Sequence, residues 1–361
     1  MSLGAVLMLG AGADLPPAQL VRRAQQAAAL DLINLLQTLH PAQLILSSPD
    51  FSWLPSTDNV ILETDPPGTM FHFGTRLADL VEKYQLETVL YFGGGSVPLL
   101  NADLMREIFA DLLAEETPLI LTNNRHSSDW AAIRKTNVPL IREVNRDNSL
   151  AWYLSEHGHY PVKIVAENRP AVHLDIDTPT DLAILRLHPE TQPQLKHFLM
   201  QRPELEAIPL RAVLDTLRRD ASQVMLIGRV SPQVWLALNR VTRCWIRVFA
   251  EERGMVASER LKQGQVRSLL ADLYQLQGAE PFFATLASMA DAVIMDSRVL
   301  MASHYQFLPE ERFASDLFWR VSDPWLDEFT QAAKNAPIPV LLGGHSVVAG
   351  GLYAIAEMLG A

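Results

Sequence analysis

Residues 171–185 read AVHLDIDTPTDLAIL, and the fold turns on how this stretch is parsed. Val172 and Leu174 alternate with polar neighbours up to two carboxylates, Asp175 and Asp177, which predicts a strand. Thr178 with Pro179 behind it matches an N-cap and a first helical residue, so a helix is expected at once. Alternation along a strand would put Asp175 and Asp177 on one face, separated by about two rises of 3.3 Å. That spacing suits a divalent cation and the phosphate oxygens that it bridges. The same residues also admit a plain capping role, with Asp181 in the first turn facing the helix dipole.

A second stretch, residues 87–100, reads ETVLYFGGGSVPLL. Its β-branched and aromatic run predicts a strand that ends in Gly93-Gly94-Gly95-Ser96, followed by Pro98-Leu99-Leu100 and a helix opened by Asn101. Consecutive glycines at a strand end let backbone approach a ligand closely or take positive φ.

Together the two stretches resemble the nucleotidyltransferase (GT-A-like) fold, specifically the molybdenum-cofactor guanylyltransferases and the phospholactate guanylyltransferases. In that group one strand runs into Gly-Asp-x-Pro-Leu-Leu, and a later one into (Asn/Asp)-x-(Asn/Asp)-Thr-Pro-x-Asp-Leu. The second motif is intact here as DIDTPTDL, Asp175 to Leu182. In the first, Ser96 stands where the family's metal-binding Asp belongs. The resemblance covers residues 4–188 and implies Mg²⁺ on Asp175 and Asp177, with nucleotide cradled by Gly10, Gly12, Gly93, Gly94, Gly95 and Ser96.

The first loop departs from the family as well. Val6 to Leu9 reads as the first core strand, ending in Gly10-Ala11-Gly12-Ala13-Asp14 before a long helical pattern from Pro17 to Leu39. The family's Gly-Gly-x-x-x-Arg is here GAGADLPP, with no Lys or Arg before Arg22. Leu15 stands where the third glycine of a Rossmann fingerprint would be. Further strands are expected at residues 43–47, 60–63, 119–122 and 162–165, with helices at 75–84, 98–114 and 148–157, a turn at Asp65–Gly68, and a polar loop from Asn123 to Asp129. Arg76 and Lys83 could approach phosphates, though exposed helix charge is the commoner explanation.

Composition sets the outer bounds. A chain of 361 residues is long for one core, so two domains are expected: residues 1–190, a helical linker at 191–221, and residues 222–361. With 48% apolar and 20% charged residues it reads as globular. A net charge of −11 gives no electrostatic footprint for nucleic acid. Cys244 is the only cysteine, which fits a reducing, cytoplasmic compartment and a buried structural thiol. Residues 336–356 lack Asp, Glu, Lys and Arg, but prolines, glycines and His345 interrupt them, so a buried strand and helix fit better than a membrane span. Trp53, Trp130, Trp319 and Trp325 are candidates for exposure.

Beyond residue 221 a fresh alternation begins. Strands at 224–227, 246–249, 292–295 and 340–342, with helices between, predict a smaller parallel, Rossmann-like α/β domain after the three-layer α/β first domain. The strands stop at Gly228-Arg229, Glu251-Glu252-Arg253, Asp296-Ser297-Arg298 and Gly343-Gly344-His345-Ser346. In a parallel sheet Arg229, Glu251, Asp296, Arg298, His345 and Ser346 should therefore converge. They would line a crevice for a small anionic metabolite, or form an internal salt-bridge cluster.

Two functions follow as expectations. One is transfer of a nucleoside monophosphate from a nucleoside triphosphate to a small phosphorylated acceptor with Mg²⁺. The other is a catalytically inactive or repurposed fold of the same kind, with the anionic metabolite bound by the second domain.

Overall fold

The computed structural model describes residues 3–12, 14–65, 71–256 and 258–360, so most of the turn expected at Asp65–Gly68 lies outside the described residues. The chain divides into two compact units. One comprises Met1–Gly12, Arg23–Asp175 and Gln192–Leu195, the other Ala13–Arg22, Ile176–Thr191 and Lys196–Ala361.

The first unit carries seven strands: β1 (Leu3–Met8), β2 (Gln43–Ser48), β3 (Ile61–Thr64), β4 (Thr88–Gly93), β5 (Leu119–Thr122), β6 (Trp130–Arg134) and β7 (Val162–Ile164). They form one sheet in the order β3-β2-β1-β4-β6-β5-β7. All neighbours are parallel except β6, which runs against both β4 and β5. β1, β2 and β4 are apolar and buried along nearly their whole length, because both faces of the sheet are covered. On one face Val6, Ile45, Val89 and Tyr91 pack with Phe73, Leu77 and Val81 of helix Phe73–Lys83. Helix Ala102–Ala114 opens as expected at Asn101, whose side chain accepts the Leu104 N–H at 3.0 Å.

Three expectations for this unit need correction. Strand β6 follows at once on the polar loop at Asn123–Asp129, where no strand is expected from the local pattern. Arg134 sits in its last position and is buried because its guanidinium donates to Thr88 Oγ1 at 2.7 Å and Glu115 O at 2.9 Å. Trp130 is not exposed but 1% accessible, stacked on Phe92, with Nε1 donating to Val172 O at 3.1 Å. Residues 171–174 are not a strand either. Pro170 starts a single helical turn, Pro170–His173, and only Leu174 is extended.

The second unit holds β8 (Gln223–Gly228), β9 (Trp245–Ala250), β10 (Ala292–Asp296) and β11 (Val340–Gly343) in the order β11-β10-β8-β9, all parallel. The α/β class expected of both halves is what the structure shows. The chain passes between the units more than once, and Ile176–Thr191 already belongs to the second. Helix Pro179–Leu187 buries Thr180 to Leu185 within the second unit, against β11 and helix Gly350–Gly360. The expected linker is likewise packed, since helix Leu210–Arg218 buries Leu210, Val213, Leu214 and Leu217 and touches β10 and β11. Cys244 is buried, and no helix among the described residues is long and apolar enough to cross a membrane.

Candidate functional site

In the first unit β1 and β4 lie side by side and parallel, and the sheet continues to β2 on one flank and β6 on the other. The carboxyl ends of β1 and β4 therefore form a topological switch point, where open α/β sheets take ligands. Gly10 and Gly12 are exposed there. A Cβ on Gly94 would lie 2.3 Å from Leu9 Cδ1 and 3.1 Å from both Leu9 Cα and Met8 O, so only glycine lets the two loops meet.

The second motif reaches the same place. Val97 donates its N–H to Leu174 O at 3.2 Å, and Ser96 and Asp175 form a single antiparallel bridge. Ser96 is buried, and its hydroxyl donates to Gly93 O at 2.9 Å. Beneath the glycines lies a cavity of about 10 Å³ among Leu7, Leu9, Ala28, Leu32 and Leu46, room for one water at most. That cavity is too small for a nucleotide.

Two further carboxylates gather at this strand end. Asp147 Oδ2 accepts the Tyr91 hydroxyl at 3.4 Å, while Asp129 accepts from Asn123 at 2.6 Å. Burial raises the Asp147 pKa. Burial also raises Tyr91 far above an ordinary phenol, with Asp147, Asp175 and Asp129 adding to the effect. Neither Asp129 nor Asp147 was legible in the sequence beyond its place in a loop or ahead of a helix. The two basic residues considered for phosphate are engaged elsewhere: Arg76 pairs with Asp65 at 3.2 Å and donates to Ser47 Oγ, and Lys83 pairs with Glu63.

The expected alignment of Asp175 and Asp177 along one strand is not what the structure has. The strand that would align them is absent, and Asp175 is half-buried in the first unit while Asp177 is exposed in the second. No group of three or more His, Cys, Asp or Glu among the described residues is arranged to hold a metal ion. A resident Mg²⁺ held by protein alone does not fit. Asp175 supplies one carboxylate, which suits a cation that arrives with phosphates. Asp181 performs the capping role. Its Oδ2 accepts the N–H groups of Asp177 (3.1 Å) and Thr178 (2.7 Å) and the Thr178 hydroxyl (2.9 Å). Burial, with Asp177 adding to it, pushes its pKa up to about 7.

In the second unit the expected convergence occurs, because all four strands are parallel. Arg229 grips Asp296 through Nε at 2.6 Å and Nη2 at 3.2 Å. Arg298 grips Asp316 with both arms, Nη1 to Oδ1 at 3.0 Å. Asp296 and Asp316 are fully buried. Burial works to raise Asp296, yet Arg229, with His345 and Arg298 behind it, holds its pKa below the usual carboxylate value. Burial prevails at Asp316, whose pKa is raised despite Arg298. Glu251, raised by burial, accepts the Ser268 hydroxyl at 2.6 Å, and Ser346 hydrogen-bonds the Asp181 carboxyl. Internal ion pairs thus take up both arginines of the crevice.

Burial, then Arg229, pushes the His345 pKa down to about 4 against its ordinary 6.5. The neutral ring's contribution to stability is therefore complete above the unfolded value and is lost as pH falls through the folded one. His345→Gln should lessen the fall in melting temperature between pH 6.5 and 4. An NMR midpoint for His345 at its ordinary value would contradict this.

No family model matches the chain, and no curated protein matches it. Among solved structures it is similar to a protein described as a nucleotide-diphospho-sugar transferase from Desulfovibrio desulfuricans, at 12% identity and a TM-score of 0.41, over 56% of this chain and 96% of that one. It is also similar to a cytidylyltransferase from Leptospira borgpetersenii, at 12% and 0.36, over 57% and 96%. A third is the glycosyltransferase GlyE of Streptococcus pneumoniae, at 9% and 0.34, over 84% and 88%.

Proposed function

We propose that the first unit is a nucleotidyltransferase-like module that binds a nucleoside phosphate at the β1/β4 switch point and has little transfer activity. The observation that carries this is the meeting of three pieces at one strand end. Gly94 packs on Leu9, and Ser96 bridges Asp175, so backbone amides and one carboxylate share an open edge. Binding is favoured over turnover because Ser96 stands where a second carboxylate would be needed beside Asp175. A small anion in the second unit would have to displace Asp296 or Asp316 from its arginine, which makes that the weaker site for a ligand.

Thermal shift with GTP, CTP, ATP and UTP, each with and without Mg²⁺, tests this. A ligand present at about 100 times its Kd stabilises by about 2.7 kcal/mol, so at least one nucleotide should raise the melting temperature, more so with Mg²⁺. Asp175→Ala should abolish the Mg²⁺-dependent part, and Ser96→Asp should enlarge it by setting a second carboxylate beside Asp175. Pyrophosphate release should stay at background in the unaltered protein. Absence of any shift with all four nucleotides, with and without Mg²⁺, would eliminate the proposal.

A further inference from the structure

Val97 has its backbone at φ +54°, in the left-handed region, and is the only β-branched residue with positive φ among the described residues. Two local rules send it elsewhere. A branched Cβ is crowded by backbone in that region, and Pro98 behind it favours an extended conformation instead. Strain of this kind persists only where the surroundings over-determine it. Here they do. Val97 is buried, its N–H donates to Leu174 O at 3.2 Å, and its carbonyl accepts the Leu100 N–H at 3.0 Å. Just before it, Ser96 closes a turn on Gly93 O with both its N–H, at 3.2 Å, and its hydroxyl, at 2.9 Å.

The strain falls where the two motifs join. An extended Val97 would carry the chain straight on past residue 174. The left-handed turn instead lets it lie against Leu174 and Asp175 for a single bridge and then leave through Pro98 toward helix Ala102–Ala114. We infer that Val97 is a positioning residue of the nucleotide site: its strained turn fixes Asp175 against the glycine loop, where a cation carried by phosphates would meet it. This rests on the reading of the β1/β4 strand end as a nucleoside-phosphate site. The charge of Asp175 acts on the Tyr91 hydroxyl, which sets the carboxylate beside β4. One carboxylate holds such a cation weakly unless it is placed in advance, because the cost of ordering it is otherwise subtracted from the affinity.

Val97→Ala and Val97→Gly both truncate the side chain and differ in what the left-handed region costs them. At a negative φ glycine is the less stable of the two. At φ +54° the order inverts, and in urea unfolding the folding equilibrium constant of Val97→Gly should exceed that of Val97→Ala about fivefold. The second measurement is the Mg²⁺ concentration at the midpoint of the nucleotide-induced rise in melting temperature, with GTP, CTP, ATP and UTP as probes. Glycine relieves the strain and frees the turn, so Val97→Gly should need about tenfold more Mg²⁺ than the unaltered protein, with the Mg²⁺-free shift unchanged. Val97→Thr keeps the branched Cβ and buries a hydroxyl, so it should lose stability yet keep the unaltered midpoint, which a merely structural role for Val97 does not predict. A Val97→Gly variant less stable than Val97→Ala, or one with an unmoved midpoint, overturns this inference and leaves the nucleotide reading standing. No shift with any of the four nucleotides in the unaltered protein overturns that reading, and this inference with it.

Discussion

Asp316→Ala is expected to destabilise the second unit by about 3–5 kcal/mol, the cost of leaving a buried ion without its partner. Arg298 is 3% exposed, and both arms of its guanidinium close on Asp316, with Ser297 Oγ accepting from Nη1 at 3.1 Å. With the carboxylate gone, no other acid is bonded to that side chain among the described contacts, and Asp296 is already held by Arg229. Urea unfolding should show the loss directly. The paired variant Asp316→Leu with Arg298→Met should regain most of it, because a matched apolar pair removes the charge along with its desolvation cost. A single-variant loss below about 1 kcal/mol would mean that water reaches the pair.

Trp130→Ala should cost the first unit a similar amount, about 3–5 kcal/mol for truncating a large buried aromatic. The ring is stacked on Phe92 with centroids 6.2 Å apart, in the middle of the sheet. Its consequence for ligand binding is more specific. Trp130 Nε1 anchors Val172 O, and two residues later Leu174 O accepts the Val97 N–H that holds the Ser96–Asp175 bridge. Trp130→Phe retains most of the packing and removes only that anchor, for about 1 kcal/mol. It should nevertheless diminish any Mg²⁺-dependent nucleotide shift, because Asp175 loses its fixed position. Retention of the full shift in Trp130→Phe would show that Val172 is held by packing alone.

What could be read from the sequence was whatever the local pattern dictates. The apolar runs of β1, β4, β8 and β10 announce themselves, and parallel strands in the second unit oblige Arg229, Asp296 and His345 to gather at one end. What could not be read was set by partners distant in the chain. β6 is hidden because Arg134 looks like a surface residue until Thr88 and Glu115 are placed around it. Asp129 and Asp147 meet Tyr91 only through the antiparallel excursion of β6 and the turn that follows. Three alternating residues, Val172 to Leu174, could not distinguish a strand from a turn of helix, and Pro170 decided for the helix. The passage between units after Asp175 was invisible because it falls inside a motif that reads as one continuous signature.

That signature is divisible. The carboxylate at Asp181 closes the first turn of its own helix, and any chain that keeps the helix needs it whether or not a nucleotide is ever turned over. In this chain Thr-Pro-x-Asp is therefore needed by the helix itself, independently of any ligand bound above it.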